Sequence, residues 1–222
     1  MTKEIAAVDL HHQVLIPWAQ RRREHPEGPA PAVLCLDHHL DVVRAFRDAG
    51  RSVGMGCWKD PAAVRQAVGE LRHDEHFDWA VRSGLVEKVV IASHTRFTPP
   101  ANEHLIVRCD SLWPDENDFF QNMEQYRFLA DSVLESAYLE RQFGSLDEYG
   151  SFILDIDCDY FLTARALQVQ DDGYFCEMVR KACQITLSLE SDWVRILRLP
   201  GEKLDAETVK TQLFSKINHL LT

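Results

Sequence analysis

Five consecutive apolar residues, Ala32-Val33-Leu34-Cys35-Leu36, stand between Pro31 and the polar cluster Asp37-His38-His39-Leu40-Asp41. A short run with no polar alternation suits a strand buried on both faces of a sheet. The pattern recurs along the chain. Ile5 to Val8 leads into Asp9-Leu10-His11-His12, and Lys88-Val89-Val90-Ile91-Ala92 leads to His94. His104 to Arg108 is a further run. Phe152-Ile153-Leu154 feeds the acidic segment Asp155 to Asp159, and Ile185 to Leu189 stops at Glu190.

Helical patterns separate these runs. They cover Val14 to Gln20, Val42 to Ala49 before Gly50, Pro61 to Leu71 after Asp60, and His76 to Ser83 before Gly84. Met123 to Gln142 is the longest, followed by Tyr174 to Cys183 and Asp205 to Leu221. Proline just inside a helix start and glycine just past its end are expected punctuation. The proline-rich stretch 26–31 reads as a loop. Strands alternating with helices predict an α/β fold, a three-layer α-β-α sandwich with a mostly parallel central sheet. No repeat or linker divides the 222 residues, so a single domain over 1–222 is expected.

The formal net charge of −11 argues against nucleic acid and anionic membranes as partners. Arg21-Arg22-Arg23, the one basic run, reads as a solvated helix end. The six cysteines form no CxxC pair and fit buried, reduced thiols. The segment Met1 to Ile5 carries no signal-peptide pattern, and no stretch approaches a membrane span, so a cytoplasmic protein is expected.

In open α/β sheets, ligands bind beyond the carboxyl ends of the strands. His11-His12, Asp37–Asp41, His94, Asp155–Asp159 and Glu190 each follow or end an apolar run, so all should open on one edge. Asp37, His39 and Asp41 are spaced i, i+2, i+4, as are Asp155, Asp157 and Asp159. Alternate residues beyond a strand point the same way. Five carboxylates gathered there repel one another unless cations neutralise them. Oxygen-rich ligation with one or two histidines suits Mn²⁺ better than Zn²⁺. Two such ions about 3.5–4 Å apart would provide a nucleophile from water at neutral pH.

Asp37-His38-His39-Leu40-Asp41 resembles the DxHxD signature of arginases and related ureohydrolases, and Asp155-Ile156-Asp157 their later DxD. The segments DLHHQVL, CLDHHLD and ILDIDCDYF, in a compact chain, look most like the peptide arginases. These convert arginine to ornithine within ribosomally made precursor peptides, a natural-product modification. The resemblance implies an arginase-like three-layer α-β-α fold binding two Mn²⁺ ions, with an arginine-containing precursor peptide as partner; a homo-oligomer is left open. It implies His11, Asp37, His39, Asp41, Asp155 and Asp157 as metal ligands, with His12 the alternative to His11 and His38 pointing away. Glu190 would grip the guanidinium. A histidine would shuttle protons, His76 ahead of His73 and His94, which makes His76, Glu190 and Asp41 the catalytic set. Asp159 would orient a ligand or cap a helix.

The chain also departs from classical arginases. It has no GGDH at the first histidine, and Cys158-Asp159-Tyr160-Phe161 follows the DxD in place of Asp-Pro. Val42-Val43-Arg44-Ala45-Phe46 lacks the polar cluster that holds the α groups of free arginine, which favours arginine within a peptide.

Rival readings are a ureohydrolase for free arginine or agmatine and a Mn-dependent DHH-type phosphoesterase. The second lacks the further N-terminal aspartates of that family. A haloacid-dehalogenase-type phosphatase would leave Asp37–Asp41 unexplained, and a zinc deacetylase would need one metal rather than two. A metal-stabilised peptide-binding module would need no Glu190.

Overall fold

The computed structural model describes residue 3 and residues 5–95 and 98–221, apart from the side chain of residue 116. Met1, Thr2 and Glu4, part of the segment read for a signal peptide, lie outside the described residues.

The chain runs β1 (Ile5–Val8), α1 (Leu15–Glu24), β2 (Ala32–Leu36), α2 (Pro61–Glu70), α3 (His76–Ser83), β3 (Val89–Ala92) and β4 (Leu105–Arg108). It continues through α4 (Glu116–Asn122), α5 (Arg127–Ala130), α6 (Ser136–Phe143), β5 (Phe152–Asp157), α7 (Gly173–Lys181), β6 (Gln184–Ser188), α8 (Ser191–Leu197) and α9 (Ala206–Leu221). The strands form one sheet in the order β1-β6-β5-β2-β3-β4, and every pairing is parallel. The fold is α/β, with helices on both faces, as the buried apolar runs predict. Among the described residues no helix is long and apolar enough to cross a membrane.

The double burial is visible in β2. Ala32, Leu34 and Leu36 join one apolar cluster, with residues of α6, α7 and α9. Val33 and Cys35 join the other, with Trp18 of α1, Val64 of α2 and Phe77 of α3. Asp155 and Asp157 alternate with Leu154 and Ile156, so they take the face of Ile153 and Cys35, towards α1 and α3.

From β2 the chain winds outward through β3 to β4, and from β5 it winds the other way to β6. The crevice between β2 and β5 is therefore the topological switch point, where such sheets bind ligands. Cys35 pairs with Asp155 and Leu36 with Ile156, so the two acidic motifs emerge side by side there.

Two expected helices are not formed. Residues 42–49 are irregular chain and turns. Their amides are taken by carboxylates from farther along: Ala45 N–H donates to Asp78 (2.9 Å), Phe46 and Arg47 N–H to Glu75 (3.3 and 3.4 Å). Phe46, at φ 57°, breaks any helical path. The long pattern from Met123 to Gln142 breaks into a 3-10 turn (Met123–Tyr126), α5 and α6. Ser132 Oγ donates back to the Phe128 carbonyl (2.8 Å), a bond that bends helices. Ser136 N–H donates to the Asp171 carbonyl (2.8 Å), which starts α6 afresh. Of the apolar face that the pattern predicts, Leu129, Val133, Leu134 and Tyr138 are buried, whereas Tyr126 is half-buried and Ala137 is exposed.

Candidate metal centre

Just beyond β1, Gln13 accepts hydrogen bonds from the Asp9 and Leu10 N–H groups (3.1 and 3.2 Å). This folds the 3-10 turn His11–Val14 over the carboxyl edge of the sheet and buries the His11 ring. Its Nδ1 faces Oδ2 of three aspartates: Asp41 at 3.1 Å, Asp157 at 3.2 Å and Asp37 at 3.3 Å. Its Nε2 lies 2.7 Å from Asp155 Oδ2.

Asp155 is fixed from behind. Thr186, its register partner on β6, donates its hydroxyl to Asp155 Oδ1. Trp18 Nε1 donates to that Thr186 hydroxyl at 3.1 Å, and Cys35 Sγ donates to Asp155 Oδ2 at 3.5 Å. With Nε2–H committed to Asp155, the lone pair of a neutral His11 would point from Nδ1 into three carboxylate oxygens. That is tolerable only if a proton or a metal cation stands between them.

A second group lies alongside. His39 Nδ1 is 2.9 Å from Asp159 Oδ2 and 3.9 Å from Asp37 Oδ1. Asp37 Oδ1 accepts the His39 N–H (2.7 Å) and so holds the loop after β2 in a tight turn. Asp159 N–H donates to Asp157 Oδ1 (3.1 Å), while Asp159 Oδ1 accepts the His38 N–H (3.3 Å). Two sets of three residues without a cysteine, His11–Asp41–His76 and Asp37–His39–Asp159, place one ligand atom each within 4.8 Å of the others and could hold a metal ion, and His11–Cys35–Asp37 is a third such set.

The buried carboxylates and imidazoles of this cluster shift one another strongly. Burial and the neighbouring Asp41 carboxylate push Asp37 up to about 7, and burial with Asp159 holds Asp157 well above the carboxylate range. Burial opposes protonation of His11, but the carboxylates of Asp155, Asp37 and Asp41 outweigh it and raise that imidazole well above its ordinary value. Burial likewise opposes a charged His39, yet Asp159 and Asp37 drive it up to about 10. Burial alone would raise Asp41; the hydrogen bond and charge of His11 hold it low.

The donor set fits a hard divalent cation. Separations of 3.1–3.3 Å between His11 Nδ1 and the three oxygens match neighbouring corners of an octahedron with bonds of roughly 2.2–2.3 Å. Asp37 Oδ2 and Asp159 Oδ2 are buried without a hydrogen-bond partner, as is His76 Nε2. Burial, reinforced by the Asp155 charge, lifts the Cys35 thiol well above its ordinary range.

The other singled-out residues are placed as follows. His12 enters neither group. His38 turns away from the aspartates, its Nδ1 3.2 Å from that of His94, and packs on Phe119. His94 is buried between the rings of Trp113 (4.2 Å) and Tyr160 (4.6 Å). His76 is fully buried, its ring 4.5 Å from that of His11 and its Nδ1 3.0 Å from the His73 carbonyl. Glu190 is half-buried, and its Oε1 accepts the His11 N–H (2.8 Å). Burial raises its carboxyl, against the pull of that N–H.

Glu190 and Asp41 both adopt positive φ, 37° and 48°. Such left-handed non-glycine residues cost on the order of 1–3 kcal/mol each and cluster at functional sites.

A cleft of about 210 Å³ opens at this centre, lined by His39, Asp41, Val42, Val43, His73 and Trp193 among others. Its volume lies below the roughly 300–1,000 Å³ of pockets for drug-sized ligands. Trp193 stands edge-on to His39 with ring centres 4.8 Å apart. Sequence reasoning passed over Trp193, Thr186 and Cys35. A threonine amid the apolar residues of β6 was the available signal for Thr186. No protein-family model matches this chain, and no curated protein matches it either.

Proposed function

We propose that the protein is a binuclear manganese hydrolase that converts peptidyl arginine to peptidyl ornithine and urea, a peptide arginase. One observation carries the reading: a carboxylate that is no part of the two metal-binding groups, Glu190, is hydrogen-bonded to the backbone of the central histidine, His11. A cationic substrate held there would meet the metal centre directly.

The two groups account for two ions, one held by His11 and Asp41 with His76 nearby, the other by Asp37, His39 and Asp159, with Asp157 between them. Two divalent ions would offset most of the charge of five buried carboxylates, and when bound they supply Lewis-acid polarisation and a water ionised at neutral pH.

The chain's own residues do the rest. Glu190 grips the guanidinium by paired charge-assisted hydrogen bonds, and the cation offsets the burial that raises its carboxyl. Leu40, Val42 and Val43 wall the cleft beside the arginine stem, and Asp74, Thr95 and Thr98 add polar groups to its lining. Oxygen from water adds to the guanidinium carbon, the bond from that carbon to the side-chain nitrogen breaks, and the leaving amine takes a proton. We assign that delivery to His73, which lines the cleft, ahead of the buried His76.

The test is to incubate the Mn²⁺-loaded protein with an arginine-containing peptide, free arginine, agmatine and a phosphodiester. Urea from the peptide alone, with a matching mass loss to ornithine, is the expected result. Turnover of the phosphodiester without urea would overturn the proposal.

A further inference from the structure

At the opposite edge of the sheet, where the strands begin, α1 ends in Arg21-Arg22-Arg23. The run is not simply a solvated helix end, because all three arginines are only partly exposed. Arg21 and Arg22 line a cavity of about 160 Å³ together with Trp18, Leu85, Ile153 and Gln184. His25 adds a further basic group, and no carboxylate contributes to the wall.

Two polar groups of this wall are unsatisfied. Arg22 is held by Nη1, which donates to the carbonyls of His25 (3.1 Å) and Pro26 (3.4 Å), with its guanidinium 5.4 Å over Trp58. Its Nε is buried without a partner. Gln184 is 1% exposed, and its Nε2 donates to the Pro17 carbonyl at 3.2 Å, which fixes the orientation of the amide. The Oε1 on its other side is buried without a partner. Among the described residues neither Arg21 nor Arg22 makes an ion pair, although the chain carries 35 acidic residues. Cations kept apart from that many carboxylates, against apolar walls, leave a site complementary to an anion with an apolar body.

We propose that this cavity binds a small carboxylate with an apolar body and a hydroxyl or amide N–H beside the carboxylate. The carboxylate meets Arg21 and Arg22, the body packs among Trp18, Leu85 and Ile153, and the donor satisfies Gln184 Oε1. Inorganic phosphate fits less well, since it has no apolar part to place against those side chains. The site is independent of the metal centre, so it stands whether or not the chain acts on arginine.

Isothermal titration of the full chain tests it, with 2-hydroxy-4-methylpentanoate, its neutral amide and inorganic phosphate as probes. The carboxylate should bind at least tenfold more tightly than either comparator. Arg21→Met and Arg22→Met keep the apolar stems and should each weaken it by roughly 10–100-fold. Arg65→Met, at an exposed position on α2, should leave binding unchanged. Thermal melting of each variant separates lost binding from lost folding. Equal binding of the amide or of phosphate, no binding of the carboxylate, or unchanged binding in both arginine variants would overturn the proposal; in the second case the cavity holds only water.

Discussion

His11 Nε2 lies 2.7 Å from Asp155 Oδ2, so the central imidazole is gripped by a carboxylate on the side opposite Asp37, Asp41 and Asp157. The carboxylate is in turn fixed by Thr186, which is fixed by Trp18. A carboxylate hydrogen-bonded to the far nitrogen of a metal-binding histidine sets its tautomer and ring orientation, and losing one typically costs 10–100-fold in affinity. Asp155→Asn should therefore weaken Mn²⁺ binding by about that factor without abolishing it. Asp37→Asn, which removes a carboxylate lying 3.3 Å from His11 and 3.9 Å from His39, should abolish it. Calorimetric titration of the metal into both variants checks this; equal and complete loss would place Asp155 among the direct ligands.

The same charges predict how the metal-free protein responds to pH. Folding lifts Asp37 from 3.8 to about 7, so between those values the folded state holds a proton that the unfolded chain has lost. Stability then falls as pH rises across that window. Folding lifts His39 from 6.5 to about 10, so its contribution is complete below pH 6.5 and is lost as pH climbs through about 10. Both slopes have the same sign. The melting temperature of metal-free protein should drop steadily from about pH 6 to pH 10, whereas excess Mn²⁺, which binds the deprotonated ligands, should flatten or reverse the trend. A metal-free melting temperature that rose over this range would contradict the assigned charges.

Much of this site was legible before any coordinates. Apolar runs bounded by polar clusters mark buried parallel strands, and their common polarity puts His11, Asp37, Asp157 and Glu190 on one edge. Spacing alone brought Asp37 and Asp41 together. What spacing could not carry is lateral register: Thr186 reaches Asp155 only because β6 pairs with β5 in that alignment. It also could not show that Asp78 and Glu75 would strip the amides from the expected helix at 42–49. Trp193 reaches the cleft from the first turn of α8 and His73 from the connection before α3, and both approaches depend on tertiary packing.

Glu190 is the test of substrate rather than of metal. Its Oε1 accepts a backbone N–H and its side chain belongs to neither metal-binding group. Glu190→Gln keeps an acceptor for the His11 N–H and removes the charge. Mn²⁺ affinity should stay within about twofold of the parent, while turnover of an arginine peptide should fall by at least about 10²-fold, the loss of a charge-assisted contact to a buried cation. A fully active Glu190→Gln would move the guanidinium anchor elsewhere, with the metal centre left standing.

His73 and His76 can be told apart because they are buried so differently. His76 is enclosed by His11 and Phe77, at ring distances of 4.5 and 4.0 Å, and burial together with His11 pushes its imidazole down to about 3. A fully buried ring that stays neutral near pH 7 is poorly placed to give a proton to a leaving amine. His73 is exposed and lines the cleft. His73→Ala should lower kcat by roughly 10²–10⁴-fold and leave the melting temperature nearly unchanged. His76→Ala opens a cavity against His11, so it should lower the melting temperature and weaken Mn²⁺ binding together. If His76→Ala kept its metal and stability but lost kcat, while His73→Ala stayed active, proton delivery would belong to His76 after all.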